Sequence, residues 1–507
     1  MAVIISTGFI LFDFFLIFLA AFIGIFVHYK HSYQYWKKKE VPYLEPTFPY
    51  GNNLYLFPLA STFAGESKVW YDQLKAKGHK FGGVWSYSRK VLVLVDPGYI
   101  KDILSLDFNH FIDRDVYCNE KHDPMGTHLF NIRHSSWKAL RQKLTPTFTS
   151  GKMKMMFDNV LHCADFMINH LEKCANVGDD FDAREVLASF TTDVIGSVAF
   201  GVDCNSFDST HAEFRRQGKY LFEIDLPILL KAVMVNSFPD LSRKLGVIVF
   251  RSKSKAFFAG MIKETMEFRK KNNINRPDFL QLLLKMNEEY KDGKPNVTFD
   301  EIVANTILFF IAGFDTSSTV MTFSCYELAR NPEIQERTRQ EIENVLGKYD
   351  GKITYEAIQE MTYLQQVMNE SMRLFPPLIC LARTCTKDYK LRDTDITIEK
   401  GTPVVISTFG LGRDAEHFPD PERFDPDRFS AEEIEKRDPY IHIPFGEGPR
   451  NCIGLRFGLM QSKIGLIRIL TNFKLSISPK TKMPVTIDQQ RFLLKENNPI
   501  YLRAEKI

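Results

Sequence analysis

Hydrophobic and polar positions change their rhythm several times along the chain. From about Val3 to Val27 nearly every residue is apolar, broken only by Asp13 and a few small polar residues. As a helix rising about 1.5 Å per residue, such a run reaches across a bilayer. The positive charges, Lys30, Lys37, Lys38 and Lys39, come after it. A cleaved secretory signal has a basic start and a shorter apolar core of about 7–15 residues. The pattern therefore predicts an uncleaved anchor over residues 1–28, with the amino terminus outside and the rest facing the cytosol. Pro42, Pro46 and Pro49 follow within eight residues, and residues 29–52 read as a stiff, basic, proline-rich linker. Residues 53–507 contain no repeat and no low-complexity tract, and read as one large domain.

Within that domain, Phe81–Tyr87 and Lys90–Val95 have the composition of two paired strands. The stretch from Phe111 to about Arg133 is polar and loop-like. Helical patterns then dominate. The longest opens on Thr298-Phe299-Asp300-Glu301, the form of a capping box, and runs to about Arg330. Its middle, Ile307 to Gly313, is apolar all round, which predicts burial on every side. Asn331-Pro332 predicts the cap of the next helix. A further helix runs from about Glu360 to Pro376-Pro377. Thr402–Ile406 reads as a strand, and a last helix begins near Cys452 and ends near Leu470. The fold class is mainly α with small β-sheets.

Composition changes this picture little. Hydrophobic residues are 44% and charged residues 25%, which is ordinary for a globular protein. The 43 phenylalanines suit a lipophilic ligand as well as plain core packing. A net charge of +3 gives no reason to expect a nucleic-acid partner. The eight cysteines are scattered, with no Cys-x-x-Cys pair, so they read as thiols in a reducing compartment and not as a disulfide scaffold.

The chemistry concentrates in Pro444-Phe445-Gly446-Glu447-Gly448-Pro449-Arg450-Asn451-Cys452-Ile453-Gly454. Its glycines allow tight bends and close approach to a flat ligand. Cys452 stands at the mouth of a helix, where free N–H groups and the helix dipole favour a thiolate. In the long helix, Ala312-Gly313-Phe314-Asp315-Thr316 puts an acid and an alcohol inside an apolar run, costly unless used. The bland alternative is a hydroxyl bonded back to a carbonyl and an acid turned to solvent. Glu370 and Arg373 share a helix face, as do Trp137 and Arg141.

These stretches, in this order, resemble the cytochrome P-450 family, and the first is similar to its haem loop. Phe111–Arg114, Asn119–Lys121 and Leu144–Met153 resemble insect microsomal members of the detoxification group. The resemblance implies a single haem-thiolate monooxygenase domain with Cys452 as iron ligand to heme b. It implies that Thr316 and Asp315 relay protons to dioxygen, and that Glu370, Arg373 and Arg428 of Pro426-Asp427-Arg428-Phe429 form a structural network. Arg423 has no role in it. Trp137, Arg141, Arg383 and Arg450 are implied as partners of the haem propionates, with Phe445 beside the ring. Gly412 departs from the histidine many members carry there.

By the same resemblance, electrons come from NADPH through a membrane flavoprotein reductase, with cytochrome b5 as a further candidate donor. Lys138 and Lys143 are candidates for docking it. Location in the endoplasmic reticulum membrane follows. Tyr117, Phe309, Ala312, Leu378 and Phe492 are the expected substrate contacts. Leu226–Leu230 with Val233–Val235 is an apolar patch that could dip into the membrane. Xenobiotics such as plant toxins or insecticides are the expected substrates; endogenous lipids or hormones fit the same pocket. A reductase-free haem-thiolate isomerase and a non-catalytic haem sensor share Cys452, but neither needs Asp315 and Thr316.

Overall fold

The computed structural model describes residues 2–53, 65–207, 216–217, 220, 225–249, 252–291, 294–488 and 493–507. The elements that position the site are helix α1 (Ala2–Ser32), strands β1 (Phe81–Ser86) and β2 (Arg89–Leu94), helices α2 (His134–Leu144) and α3 (Ser150–Val177), strand β3 (Phe181–Asp182) and helix α4 (Ala183–Ile195). They continue with α5 (Leu226–Ser237), α6 (Phe299–Arg330), α7 (Thr362–Leu374), β4 (Leu381–Thr384), β5 (Pro403–Ile406), α8 (Leu455–Leu470), β6 (Phe473–Ile477) and β7 (Tyr501–Lys506). Helices dominate, as the periodicity implied, and the sheets are small.

The four-stranded sheet has the order β1-β2-β5-β4. β2 and β5 run parallel, with Leu92 opposite Val404, and β4 pairs antiparallel to β5, with Arg383 opposite Val404. β6, β7 and β3 form a second sheet. Val91 to Leu94 and Val404 to Ile406 are fully buried, so β2 and β5 are apolar runs, as strands covered on both faces must be.

α6 is the spine. Both halves of its capping box form: Glu301 N–H donates to Thr298 Oγ1 at 3.2 Å, and Thr298 N–H to Glu301 Oε2 at 2.8 Å. It packs against α4, α7 and α8. Burial on every side is not what the middle shows. Phe309, Ala312, Gly313 and Thr316 face a cavity, so the apolar ring shields a void as well as a core. Asn331 stands at the N-cap of the following helix with Pro332 at its first position, as expected, but its side chain makes no capping bond; its amide turns back to the Glu327 carbonyl at 2.8 Å.

The amino-terminal helix is long and apolar enough to cross a membrane, and residues Phe12–Leu19 and Phe22–His28 are exposed. α6 passes the same test of length and composition but is mostly buried. The proline-rich stretch read as a spacer is folded onto the domain. Trp36, Val41 and Leu44 are buried, Leu44 N–H donates to the Gly83 carbonyl at 3.0 Å, and Trp36 Nε1 donates to the Val84 carbonyl at 3.2 Å. Apolar side chains before and between the prolines find a place on β1, which a polar linker would not have offered.

Candidate haem and substrate site

A cavity of about 290 Å³ lies between α6 and the Pro444–Gly454 loop. The loop's shape comes from its glycines. Gly446 and Gly448 hold φ of 69° and 72°, where a β-carbon is strained, and one at Gly448 would also collide with the Leu104 carbonyl. Leu104 belongs to a π-helical turn, Asp102–Leu106, that packs under the loop. Cys452 N–H donates to the Phe445 carbonyl at 2.8 Å, closing the turn. α8 begins at Leu455, three residues past Cys452, so the cysteine precedes the helix mouth and does not sit in its first turn.

The Cys452 side chain is open to the cavity, while protein surrounds the cavity itself. Burial pushes its thiol up; the Gly454 N–H, Arg114 and Arg141 act the other way. Those groups are what a thiolate needs for stabilisation.

Four guanidiniums line the same wall: Arg114, Arg141, Arg383 and Arg450. Arg141 donates to the Asn451 carbonyl at 2.8 Å and to Asn451 Oδ1 at 2.9 Å. Arg450 lies over the Trp137 ring at 4.6 Å and donates to the Ile132 carbonyl at 2.6 Å. Burial, then Arg383 beside it, pulls Arg450 down to about 9; burial pulls Arg383 down to about 10. Arg114 is driven well below its usual value by burial first and by Arg383 and Arg450 next. Among the described residues, the only carboxylate on the lining is Asp115, which Arg89 already grips from both terminal nitrogens. The buried Nε atoms of Arg383 and Arg450 have no hydrogen-bond partner among the described residues. Mutually repelling cations with orphaned donors call for an anion, and the residues fit a haem with two propionates above Cys452.

Arg114 was not singled out from the sequence. The pairing that places it is long-range: Thr384 N–H donates to the Asp113 carbonyl at 2.8 Å, which sets Arg114 next to Arg383 on β4. The sequence offers two signals for it: it closes the Phe111–Arg114 stretch that resembles the insect group, and it lies between two aspartates in a loop-like region.

Of the oxygen-side pair, Thr316 lines the cavity and Asp315 does not. Thr316 Oγ1 donates to the Ala312 carbonyl at 2.6 Å, the local bond foreseen as its bland alternative. Its oxygen lone pairs stay available to the cavity. Asp315 sits 3.7 Å from Arg184 Nη1 rather than turning to solvent. Arg184 is buried and grips Glu496, with Nε donating to both carboxylate oxygens at 2.7 and 2.8 Å. No sequence signal linked residues 312 positions apart.

The structural network forms in part. Arg373 and Glu370 are fully buried and bidentate, at 2.6 and 2.7 Å. Arg373 also donates to the carbonyls of Gly412, Pro421 and Arg423. Arg423 thus contributes its backbone, not its side chain. Arg428 comes no closer than 3.6 Å to Glu370 and donates to the Asp420 carbonyl instead. At Gly412 a β-carbon would stand 2.5 Å from the Arg373 carbonyl oxygen, so glycine lets the two backbones touch.

Phe309, Ala312, Leu378 and Phe445 line the cavity as expected. Tyr117 does not; its hydroxyl donates to the Val247 carbonyl at 3.0 Å, pinning the Phe111–Arg133 loop to the segment after α5. Phe492 lies outside the described residues. Phe148, Phe279 and Val320 complete the apolar wall and were not foreseen.

A family model described as Cytochrome P450 matches residues 46–503. The chain is 39% identical over 487 residues to "Probable cytochrome P450 6a13" of Drosophila melanogaster, covering 95% of this chain and 96% of that protein. It is 38% identical over 483 residues to "Cytochrome P450 6A1" of Musca domestica, covering 94% of each. It is 37% identical over 494 residues to "Cytochrome P450 6a2" of Drosophila melanogaster, covering 94% and 96%. The thiol over an arginine-lined cavity and the match across nearly the whole chain agree: this protein belongs to the cytochrome P450 family of haem-thiolate monooxygenases.

Proposed function

We propose that this monooxygenase inserts one oxygen atom of dioxygen into lipophilic small molecules, with xenobiotics such as plant toxins or insecticides as its main substrates. The observation that carries the reading is the apolar wall of Phe309, Ala312 and Leu378 facing the Cys452 loop across one cavity. Cys452 ligates the iron. Trp137, Arg141, Arg383 and Arg450, joined by Arg114, would hold the propionates, and Phe445 would line the haem pocket. A bound thiolate-ligated haem supplies the cleavage of the O–O bond.

The chain's own residues do the rest. The apolar wall excludes water and orients the substrate. Thr316 Oγ1 accepts and passes a proton at the cavity edge. Asp315, one residue away and held by Arg184, supplies it. Glu370 and Arg373 keep the segments under the haem loop in place.

Electrons come from NADPH through a flavoprotein reductase, with cytochrome b5 as a second donor. Lys138 is exposed on α2, on the Cys452 side, where an acidic partner would dock. Lys143 is 3.7 Å from Glu301 and less available. Residues 1–28 anchor the protein in the endoplasmic reticulum membrane, with residues 53–507 as the catalytic domain in the cytosol. Leu226, Phe238 and Leu245, on and after α5, are 67%, 62% and 63% exposed, an apolar surface suited to the same membrane.

The test is spectroscopic first. Reduced protein under carbon monoxide is expected to show the strongly red-shifted Soret band of thiolate ligation, and Cys452→Ala to abolish it. With reductase, NADPH and an insecticide panel, oxygenated products should form. Turnover without NADPH or dioxygen would overturn the monooxygenase assignment in favour of an isomerase; oxidation confined to endogenous lipids would overturn the xenobiotic one.

A further inference from the structure

We propose that a basic cleft where α1 meets the β1–β2 turn binds the headgroup of an anionic phospholipid. This inference rests on the membrane-anchor reading and adds a ligand to it. The cleft, of about 370 Å³, has His28, His31 and Lys38 on one wall and Ser88, Arg89 and Lys90 on the other.

The walls are fixed to one another. His28 Nε2 lies 3.2 Å from Ser88 Oγ, and Ser32 Oγ donates to the Ser88 carbonyl. Trp85 Nε1 donates to the Ser32 carbonyl at 3.1 Å, and the Tyr33 ring meets Trp85 edge-on at 5.6 Å. The cleft is thus part of the fold.

Its surplus charge is positive. Among the described residues no carboxylate lines it, but Asp115 and Glu399 pair with Arg89 at 2.9 Å and Lys90 at 2.7 Å from outside the lining and offset those two cations. Lys38 is exposed and has no acidic partner among the described residues.

Its depth is set by the helix. The apolar run ends at Val27, and His28 opens the cleft. Phe26 and Val27 are exposed, and Phe48 packs edge-on against Phe26 at 5.4 Å. An apolar rim directly below a cationic wall matches the boundary between acyl chains and phosphates. A phosphodiester there accepts from the Lys38 ammonium, the imidazoles and the Ser88 hydroxyl. An anionic headgroup adds a further attraction, whereas choline would bring a cation against Lys38.

The experiment uses full-length, haem-loaded protein in phosphatidylcholine nanodiscs carrying a small share of spin-labelled phosphatidylserine or phosphatidylcholine. The immobilised fraction gives the relative affinity of the two lipids for the protein. Phosphatidylserine is expected to be preferred by about fivefold, the effect of one unpaired lysine. Lys38→Glu and Ser88→Asp should each erase the preference, while Lys37→Glu, a lysine outside the cleft, should leave most of it. Equal affinity in the unaltered protein would overturn the proposal. So would an effect of Lys37→Glu as large as that of Lys38→Glu, which would mean a general surface potential, or displacement by inorganic phosphate, which would mean a free-anion site. Protein that fails to float with vesicles in high salt would overturn the anchor reading, and the lipid site with it; protein that floats but shows no lipid preference would overturn the site alone.

Discussion

On the Cys452 side of the cavity, polar groups are fastened by specific partners: Arg141 to Asn451, Arg450 over Trp137, Arg373 to Glu370. On the α6 side, the wall is apolar surface interrupted by two hydroxyls: Thr316, which satisfies itself on its own helix, and Ser317, which accepts from Gln461 Nε2. The first wall is organised around charge that cannot be left unpaired. The second is organised around shape, and many apolar side chains of similar volume would build it equally well. A charged cofactor and a lipophilic substrate place those two demands on opposite faces of one cavity.

The difference can be broken at its strongest point. Glu370→Ala leaves Arg373 fully buried beside carbonyls alone and should cost about 3–5 kcal/mol of stability, read by chemical denaturation of the haem-loaded protein. A loss below about 1 kcal/mol would mean that the three carbonyls suffice. Next comes acid. His128 is buried near Arg114, and burial first, then Arg114, lowers its pKa from 6.5 to about 4. The unfolded chain therefore binds the proton that the folded one refuses. Stability present above pH 6.5 should fall as pH drops toward 4, by up to about 3 kcal/mol from this group. His128→Gln should flatten that part of the pH–stability curve; an unchanged slope would refute the assignment.

Smaller effects separate the walls. Arg383→Leu with Arg450→Leu should speed haem transfer to apomyoglobin by about tenfold or more, given the strength of charge-assisted hydrogen bonds. Thr316→Ala should leave haem retention unchanged and lower product formed per NADPH by about tenfold. If Thr316→Ala also loosened the haem, or the double arginine variant changed only coupling, the division between the two walls would fail.

Legibility in the sequence followed the same division. The haem loop is a local pattern, since Gly446, Gly448 and Cys452 lie within seven residues and their conformations constrain one another. The capping box of α6 and the Glu370–Arg373 pair are local too. What escaped depends on distant pairing: Arg114 set by Thr384, Asp315 held by Arg184, and Arg184 in turn by Glu496. Tyr117 was expected in the pocket from its position in the family resemblance, but its hydroxyl bonds the Val247 carbonyl. Residues 29–52 looked like a spacer because prolines mark stiffness without revealing what the intervening Trp36, Val41 and Leu44 touch.

That folded segment has a practical meaning for anyone shortening this chain to make it soluble. Trp36 is 1% exposed and its indole bonds β1, so it is a core residue that happens to lie before the domain's apparent start. A chain trimmed to begin at Val41 would lose it, leave the Gly83 backbone uncovered where the Trp36 ring now packs, and strip the Ser32 carbonyl from Trp85. A chain trimmed to begin at His28 keeps all three and still sheds the apolar run. The safe cut lies at the end of the apolar run, not at the first proline.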